Sequence, residues 1–246
     1  MKLLVTRPEP DGTALKAHLV AQGHEVILEP LIEIDTRDAD PIELGGVQAL
    51  IATSRNGLRA LAETPEIESA RGYPLFAVGP GTAATARALG FEIVVEGPAT
   101  GRDLIAFIAE KAEVNGGPLL HLAGDKLAFD FATELKRLGF VVLQPIVYQS
   151  HAVDRLSGST AARLGRNEIE GVLLLSPRTA AVFARLMDRH GLQEASRRLT
   201  YFCISQVTAD QLADLRPSAI EIAARPNLHE VLALTARRTT GHSVIG

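Results

Sequence analysis

The chain repeats itself. LLVTRPEPDGTALKAHLVAQGHEVILEPLIEI at 3–34 and LLHLAGDKLAFDFATELKRLGFVVLQPIVYQS at 119–150 follow one plan. Each runs apolar strand, polar loop, amphipathic helix, glycine turn, strand, proline and a second extended segment. The echo continues with ALIATSRNGLRAL (49–61) against GVLLLSPRTAAVF (171–183), and with LFAVGPGTAATARALG (75–90) against YFCISQVTADQLADLR (201–216). EGPATGRDLIAFI (96–108) against AARPNLHEVLALT (223–235) completes it. A duplicated unit of alternating short apolar runs and amphipathic stretches restricts the fold to parallel α/β architecture, built twice.

Strands are expected at 2–6, 25–28, 48–52, 74–78, 92–95, 118–122, 140–143, 171–175, 200–204 and 219–223. Helices are expected at 9–22, 55–63, 81–89, 101–112, 127–138, 178–190, 206–214 and 227–236. Gly23, Gly90 and Gly139 each follow a helix and precede a strand, where a left-handed C-cap belongs. Residues 30–40 and 145–155 are equivalent in the repeat. Each leaves a finished β-α-β unit as an extended segment and enters polar, helix-poor sequence. Two such segments can pair as a linker, which would make one domain discontinuous. The C-terminal RRTTGHSVIG reads as frayed.

Composition narrows the function. The 246 residues are 46% hydrophobic and 22% charged, which describes a soluble, well-cored protein. No apolar run has the length of a membrane span, and MKLLVTRPEP lacks a secretory core, so a cytoplasmic protein without membrane partners is expected. Cys203 is the single cysteine, which excludes internal disulfides and fits a reducing compartment. A net charge of −4, no Trp and 4% aromatics argue against nucleic acid as a partner.

In open parallel sheets, ligands bind beyond the carboxyl ends of the strands. The loops there carry Thr6-Arg7, Thr53-Ser54-Arg55-Asn56, Gly79-Pro80-Gly81-Thr82, Ala123-Gly124-Asp125-Lys126, Ser176-Pro177-Arg178-Thr179 and Ser205-Gln206-Val207-Thr208. Arg7, Arg55, Lys126 and Arg178 set a cation near a strand end, and the remaining loops bare helix N–H groups that favour anions. Dispersed donors of this kind suit a large ligand with several carboxylates better than a single phosphate. Ser54, Ser176 and Ser205 are equally good N-caps with no ligand present, and the two roles are compatible.

Other chemistries find little support. Gly79-Pro80-Gly81 is not followed by the Lys of a phosphate-binding loop, and no G-x-G-x-x-G follows the first strand. His18, His24, His121, His151, His190, His229 and His242 show no metal-binding spacing. His121 lies inside a strand and reads as packed. Cys203, between Phe202 and Ile204, sits in a core strand, and G-x-S-x-G is missing. Tyr148 stands apart: in VYQS of the second linker segment, its polar tip would face the gap between domains. A nucleotide or sugar-phosphate enzyme would need the missing glycine-rich loop, and a two-lobed exported binder would need a signal.

The ordered set VTRPEPDG, GHEV, TSRNG, VGPGTA, VYQS, LLSPRTA and ISQVTA resembles the uroporphyrinogen-III synthase family over essentially the whole chain. The resemblance implies two flavodoxin-like, three-layer parallel-sheet α/β domains joined by a two-stranded linker. On this basis the first, discontinuous domain is placed at 1–34 plus 151–246 and the second at 40–145, with linkers at 35–39 and 146–150. It implies a cofactor-independent, cyclising hydro-lyase of tetrapyrrole biosynthesis, expected to be monomeric. Its substrate would be hydroxymethylbilane, held between the domains and closed to uroporphyrinogen III with inversion of the last ring and loss of water. The family's hydroxyls fall on Ser54, Thr82, Ser176 and Thr208, its linker tyrosine on Tyr148, and the bacterial TRP arginine on Arg7. Arg55, Lys126, Arg178 and Ser205 complete the expected substrate contacts, and no metal is expected. Relatives commonly carry glycine where Ser205 stands and often proline where Gln206 stands. The linker also suggests a hinge that closes on substrate.

Overall fold

A computed structural model describes residues 1–98, 101–127 and 129–241, the last five as backbone only. The chain opens with β1 (Lys2–Val5), α1 (Asp11–Ala21), β2 (Glu25–Leu28) and β3 (Ile32–Asp35). Next come β4 (Ala49–Ala52), α2 (Arg55–Ala62), α3 (Ile67–Ala70), β5 (Leu75–Ala77), α4 (Pro80–Ala88), β6 (Val94–Glu96) and α5 (Gly101–Lys111). These are followed by β7 (Leu119–His121), β8 (Ala123–Gly124), α6 (Phe131–Arg137), β9 (Val142–Leu143) and β10 (Ile146–Ala152). The remainder holds α7 (Gly158–Gly165), β11 (Gly171–Leu174), α8 (Pro177–Arg189), α9 (Gln193–Arg198), β12 (Thr200–Cys203), α10 (Gln206–Asp210), β13 (Ala219–Ile222) and α11 (Leu228–Gly241).

Two compact units result, Met1–Glu33 with His151–Gly246, and Ile34–Ser150. The first holds a five-stranded sheet in the order β13-β12-β11-β1-β2, the second one in the order β6-β5-β4-β7-β9. All their recorded pairings are parallel. Under the sequence repeat, β7 corresponds to β1, β9 to β2, β4 to β11, β5 to β12 and β6 to β13. The two sheets therefore match strand for strand in space although the chain visits them in permuted order. The chain passes between the units within β3 and β10, which are neighbours in a three-stranded sheet with β8. Val153 donates its N–H to Leu31 O at 3.1 Å, and Asp40 donates its own to Ile146 O at 2.9 Å.

Parallel strands covered on both faces must be apolar throughout, and β4, β11 and β12 are buried at every residue. In the second unit, Leu50, Ala52, Leu75, Ala77 and Leu120 join residues of α2, α3 and α4 in one core. The alternate residues Ala49, Ile51, Phe76, Leu119 and Val142 join α5 and α6 in another. In the first unit, Leu3, Val5, Val26, Leu173 and Phe202 pack with Leu15 and Leu19 of α1 and Val231 of α11. The opposite parity buries Leu4, Val172, Leu174, Tyr201 and Cys203. There the Tyr201 ring meets Phe183 of α8 edge-on at 6.1 Å, and its hydroxyl donates to Ser196 O at 3.0 Å. Burial pushes the Cys203 thiol up to about 12, so it is a packing residue.

Gly23, Gly90 and Gly139 do take positive φ after helices, at 84°, 88° and 92°. Several boundaries differ from expectation. Helix α6 begins at Phe131 and not 127, because the Asp130 carboxylate caps it by accepting from Thr133 N at 3.0 Å; Ala128 lies outside the described residues. Helix α10 stops at Asp210, with a separate 3-10 turn at Ala213–Leu215. Helix α11 continues to Gly241, so the backbone of RRTTG is helical, while 242–246 lie outside the described residues. The polar sequence after β10 is not helix-poor, since it forms α7.

Helix α7 is fastened by Glu29, just past β2. The Glu29 carboxylate accepts from Ser157 N and Ser157 Oγ at 2.6 Å each and from Thr160 Oγ1 at 2.5 Å. A carboxylate at a helix start also meets the positive end of its dipole. This contact joins the two chain segments of the first unit. Glu29→Ala would strand the buried Thr160 hydroxyl and remove the tie to Ser157, and is expected to lower unfolding stability by about 2 kcal/mol. Urea titration followed by far-ultraviolet circular dichroism, with the slope unchanged, checks this.

Candidate active site

Parallel crossovers put the strand-to-helix turns of a sheet along one edge. In the second unit the turns after β4, β5 and β7 are neighbours, because β4 lies between β5 and β7. Ser54 takes an extended backbone and accepts from Asn56 N at 2.9 Å, capping α2. Arg55, the first residue of α2, lays its guanidinium over Gly81 of α4; a Cβ there would come within 3.1 Å of both Arg55 Cζ and Nε. That absence of a side chain brings the α2 and α4 starts together. Thr82, next in α4, is buried.

Closer to β7, a Cβ on Gly57 would come 2.7 Å from Leu122 O, so α2 is drawn tightly against the turn into β8. The Tyr148 ring lies on Gly124 of β8 and packs on the same core as α2. Close approaches thus join the start of α4 to Arg55 of α2, α2 to Leu122, and Gly124, two residues beyond Leu122, to the Tyr148 ring. Lys126 is exposed, and its ammonium stands 3.6 Å from the Asp125 carboxylate of its own loop.

Beneath this edge runs a buried polar chain that sequence reading missed. His121 is fully buried; its Nδ1 lies 3.1 Å from Gln144 Oε1, and its Nε2 lies 3.0 Å from Thr53 Oγ1. With Gln144 accepting, Nδ1 carries the proton, and Thr53 donates to Nε2. A histidine inside an otherwise apolar strand was the available signal. Burial lowers the His121 pKa from its ordinary value, with the Gln144 contact opposing. It is therefore packed, as expected, and also fixes the hydroxyl beside Ser54.

The first unit builds its edge in the same way. Ser176 caps α8, accepting from Thr179 N at 3.1 Å, and its hydroxyl lies 2.8 Å from that of Thr179. Ser205 caps α10, accepting from Thr208 N at 3.3 Å, with the two hydroxyls 3.0 Å apart. The recurring S-x-x-T spacing is the local signature of both caps. Thr208 is fully buried, so it supports the cap from below. Arg178, in the first turn of α8, is half-buried. The guanidinium of Arg7 is paired with Asp11, Nη2 to Oδ2 at 3.0 Å. The units thus present serine-capped helix starts at equivalent places, and guanidinium groups flank them. Among the described residues, no cluster of histidine, cysteine or carboxylate side chains could hold a metal ion, and no helix is long and apolar enough to cross a membrane.

A family model described as uroporphyrinogen-III synthase HemD matches residues 13–233. The chain belongs to the uroporphyrinogen-III synthase family. Membership assigns it a function in tetrapyrrole biosynthesis, a cyclising lyase-type reaction and a small-molecule substrate. Among solved structures it is similar to uroporphyrinogen-III synthetase from Helicobacter pylori 26695. The TM-score is 0.64 at 19% identity, covering 96% of this chain and 99% of that one. It is also similar to a mutant uroporphyrinogen III synthase from the extremely thermophilic bacterium Thermus thermophilus, with TM-score 0.58, 19% identity, and coverage of 98% and 99%. At these identities the likeness concerns the fold. No curated protein matches the sequence.

Two measurements follow from these contacts. Ser54→Ala and Ser176→Ala should each cost about 1 kcal/mol in chemical denaturation, the usual loss for an N-cap. The unfolded chain binds a proton at His121 that the folded one resists, so that share of stability is present above pH 6.5 and lost as pH falls below it. His24, lowered by burial and then by the N-terminal ammonium, acts with the same sign. The thermal midpoint should therefore drop between about pH 7 and pH 5. His121→Gln should flatten part of that drop while lowering stability at pH 7.

Proposed function

We propose that the protein closes hydroxymethylbilane, a linear tetrapyrrole polycarboxylate, to uroporphyrinogen III. The family match over residues 13–233 carries this reading. The strand order β2-β1-β11-β12-β13 supports reading the first unit as flavodoxin-like, and its permuted counterpart as a second such domain. The serine-capped helix starts of both domains are assigned to the substrate carboxylates. Ser54, Ser176 and Ser205, with the backbone donors beside them, would receive these groups. Arg7, Arg55, Lys126 and Arg178 would supply the flanking charge, and buried Thr82 and Thr208 would hold the turns in shape.

The chemistry balances within the substrate. The nitrogen lone pair of the terminal pyrrole expels the hydroxyl of the hydroxymethyl group, which leaves as water once protonated, giving an azafulvene cation. The substituted carbon of the far ring attacks that carbon to form a spiro intermediate. One bond at the spiro centre then breaks, and the ring recloses in the inverted sense with loss of a proton. No electron is gained or lost overall, so the reading is cofactor-independent. Tyr148 is assigned as the donor to the departing hydroxyl. The protein is further read as a cytoplasmic monomer with neither nucleic-acid nor membrane partners.

The decisive assay supplies enzymatically generated hydroxymethylbilane, oxidises the product and separates the isomers. Isomer III is expected, and isomer I alone would overturn the assignment. Tyr148→Phe should lower turnover by roughly 10²–10⁴-fold, the usual worth of a general acid. Near-normal turnover would remove Tyr148 from the mechanism.

A further inference from the structure

The ring of Tyr148 is held by features that its proposed role does not by itself require. Strand β10 pairs with β8 in parallel, Ile146 against Ala123 and Tyr148 against Gly124, with an irregular register between them. At Gly124, a Cβ would fall 2.6 Å from Tyr148 Cε2 and 2.7 Å from Tyr148 Oη. The edge of the ring that bears the hydroxyl thus occupies the space a side chain would take.

The backbone on both sides of the ring is tied to the same loop. Ala123 N donates to Pro145 O at 3.2 Å, and Asp125 N donates to Tyr148 O at 3.1 Å. Two residues on, one oxygen of the Asp125 carboxylate, Oδ1, accepts from Ser150 N at 2.9 Å and from Ser150 Oγ at 3.0 Å. Both bonds are charge-assisted. Burial raises the Asp125 pKa, but the Ser150 donors and Lys126 together hold it below its ordinary value, so the carboxylate is ionised at neutral pH.

We propose that Gly124 and Asp125 are positioning residues that set the orientation of the Tyr148 phenol. Gly124 supplies the flat seat, and the Asp125–Ser150 clasp locks the strand register that lowers the ring onto it. A tyrosine on an unsupported strand has several staggered rotamers available. Proton donation to a leaving hydroxyl tolerates only a small misplacement. The seat therefore has a catalytic consequence, which rests on the assignment of Tyr148 above.

The test compares Gly124→Ala, Asp125→Ala and Asp125→Asn in the full-length protein. Gly124→Ala and Asp125→Ala should each lower kcat by roughly 10–100-fold, the cost of about 1 Å of misplacement, with KM changed little. Asp125→Asn keeps an Oδ1 acceptor for Ser150 and should recover most of the turnover, which a role for the negative charge itself would not allow. In the Tyr148→Phe background, neither damaging substitution should lower kcat further. An independent readout needs no activity. Uniform labelling with 3-fluorotyrosine reports only Tyr73, Tyr148 and Tyr201, and loss of one signal in Tyr148→Phe assigns it. The Tyr148 fluorine resonance should shift or broaden in Gly124→Ala and Asp125→Ala and stay in place in Asp125→Asn. An unmoved resonance in both damaging variants overturns the seat whatever the kinetics. Full turnover by Tyr148→Phe would instead overturn the acid assignment, and the fluorine spectra would still decide the seat.

Discussion

A parallel strand pair cannot be closed by a hairpin, and the rest of this structure depends on that constraint. Each strand must return through a crossover, so every strand-to-helix turn of a sheet falls on the same edge. The serines that close these turns, Ser54, Ser176 and Ser205, stand on such edges because of sheet direction and not because of any local preference. Each takes an extended backbone, and each side chain satisfies one donor of the helix that follows.

The permuted equivalence of the two sheets extends this point. Because β4 and β11 hold the same central place in their sheets, Ser54 and Ser176 occupy corresponding sites. What surrounds them differs. Ser176 and Ser205 each pair with a threonine three residues on, whereas Ser54 caps by a shorter reach to Asn56 N. The second unit adds the Gln144–His121–Thr53 chain, which has no polar counterpart at Val5, Leu28 and Leu175. One edge thus carries a fixed acceptor network beneath its cap, and the other carries hydroxyl pairs. The duplication supplied the scaffold, and the polar differences distinguish its halves.

The strands of the two five-stranded sheets were legible to within one or two residues, since a strand buried on both faces is apolar without interruption and glycine or proline ends it, whereas the two-residue β8 was read as a loop. Helices α2 and α8 were legible from their serine caps and amphipathic faces, and α4 and α5 from their apolar pattern. Helices α3, α7 and α9 were not, and the reason is energetic. Their sequences IESA, GSTAARLG and QEASRR carry few apolar positions, so local pattern says little. What orders α7 is Glu29, a residue 128 positions earlier in the chain. In the site, the capping serines could be read directly, but the S-x-x-T spacing that pairs Ser176 with Thr179 and Ser205 with Thr208 was not. Gly124 could not be read as a seat, because a glycine between strand and helix looks like any other turn until the ring above it is known.

Gly124 is one of several places where a missing side chain fixes the geometry of this edge. The cations of Arg7 and Lys126 already lie beside the Asp11 and Asp125 carboxylates. Other groups of this edge are fixed by packing. Gly57 against Leu122 O, Gly81 under Arg55 and Gly124 under Tyr148 are all places where a missing side chain lets one element approach another. Each such approach removes freedom from the group it touches before any ligand arrives. Preorganisation of this sort lowers the cost of binding and of reaction without adding charge. It follows that the glycines of this edge shape it as much as the capping hydroxyls do.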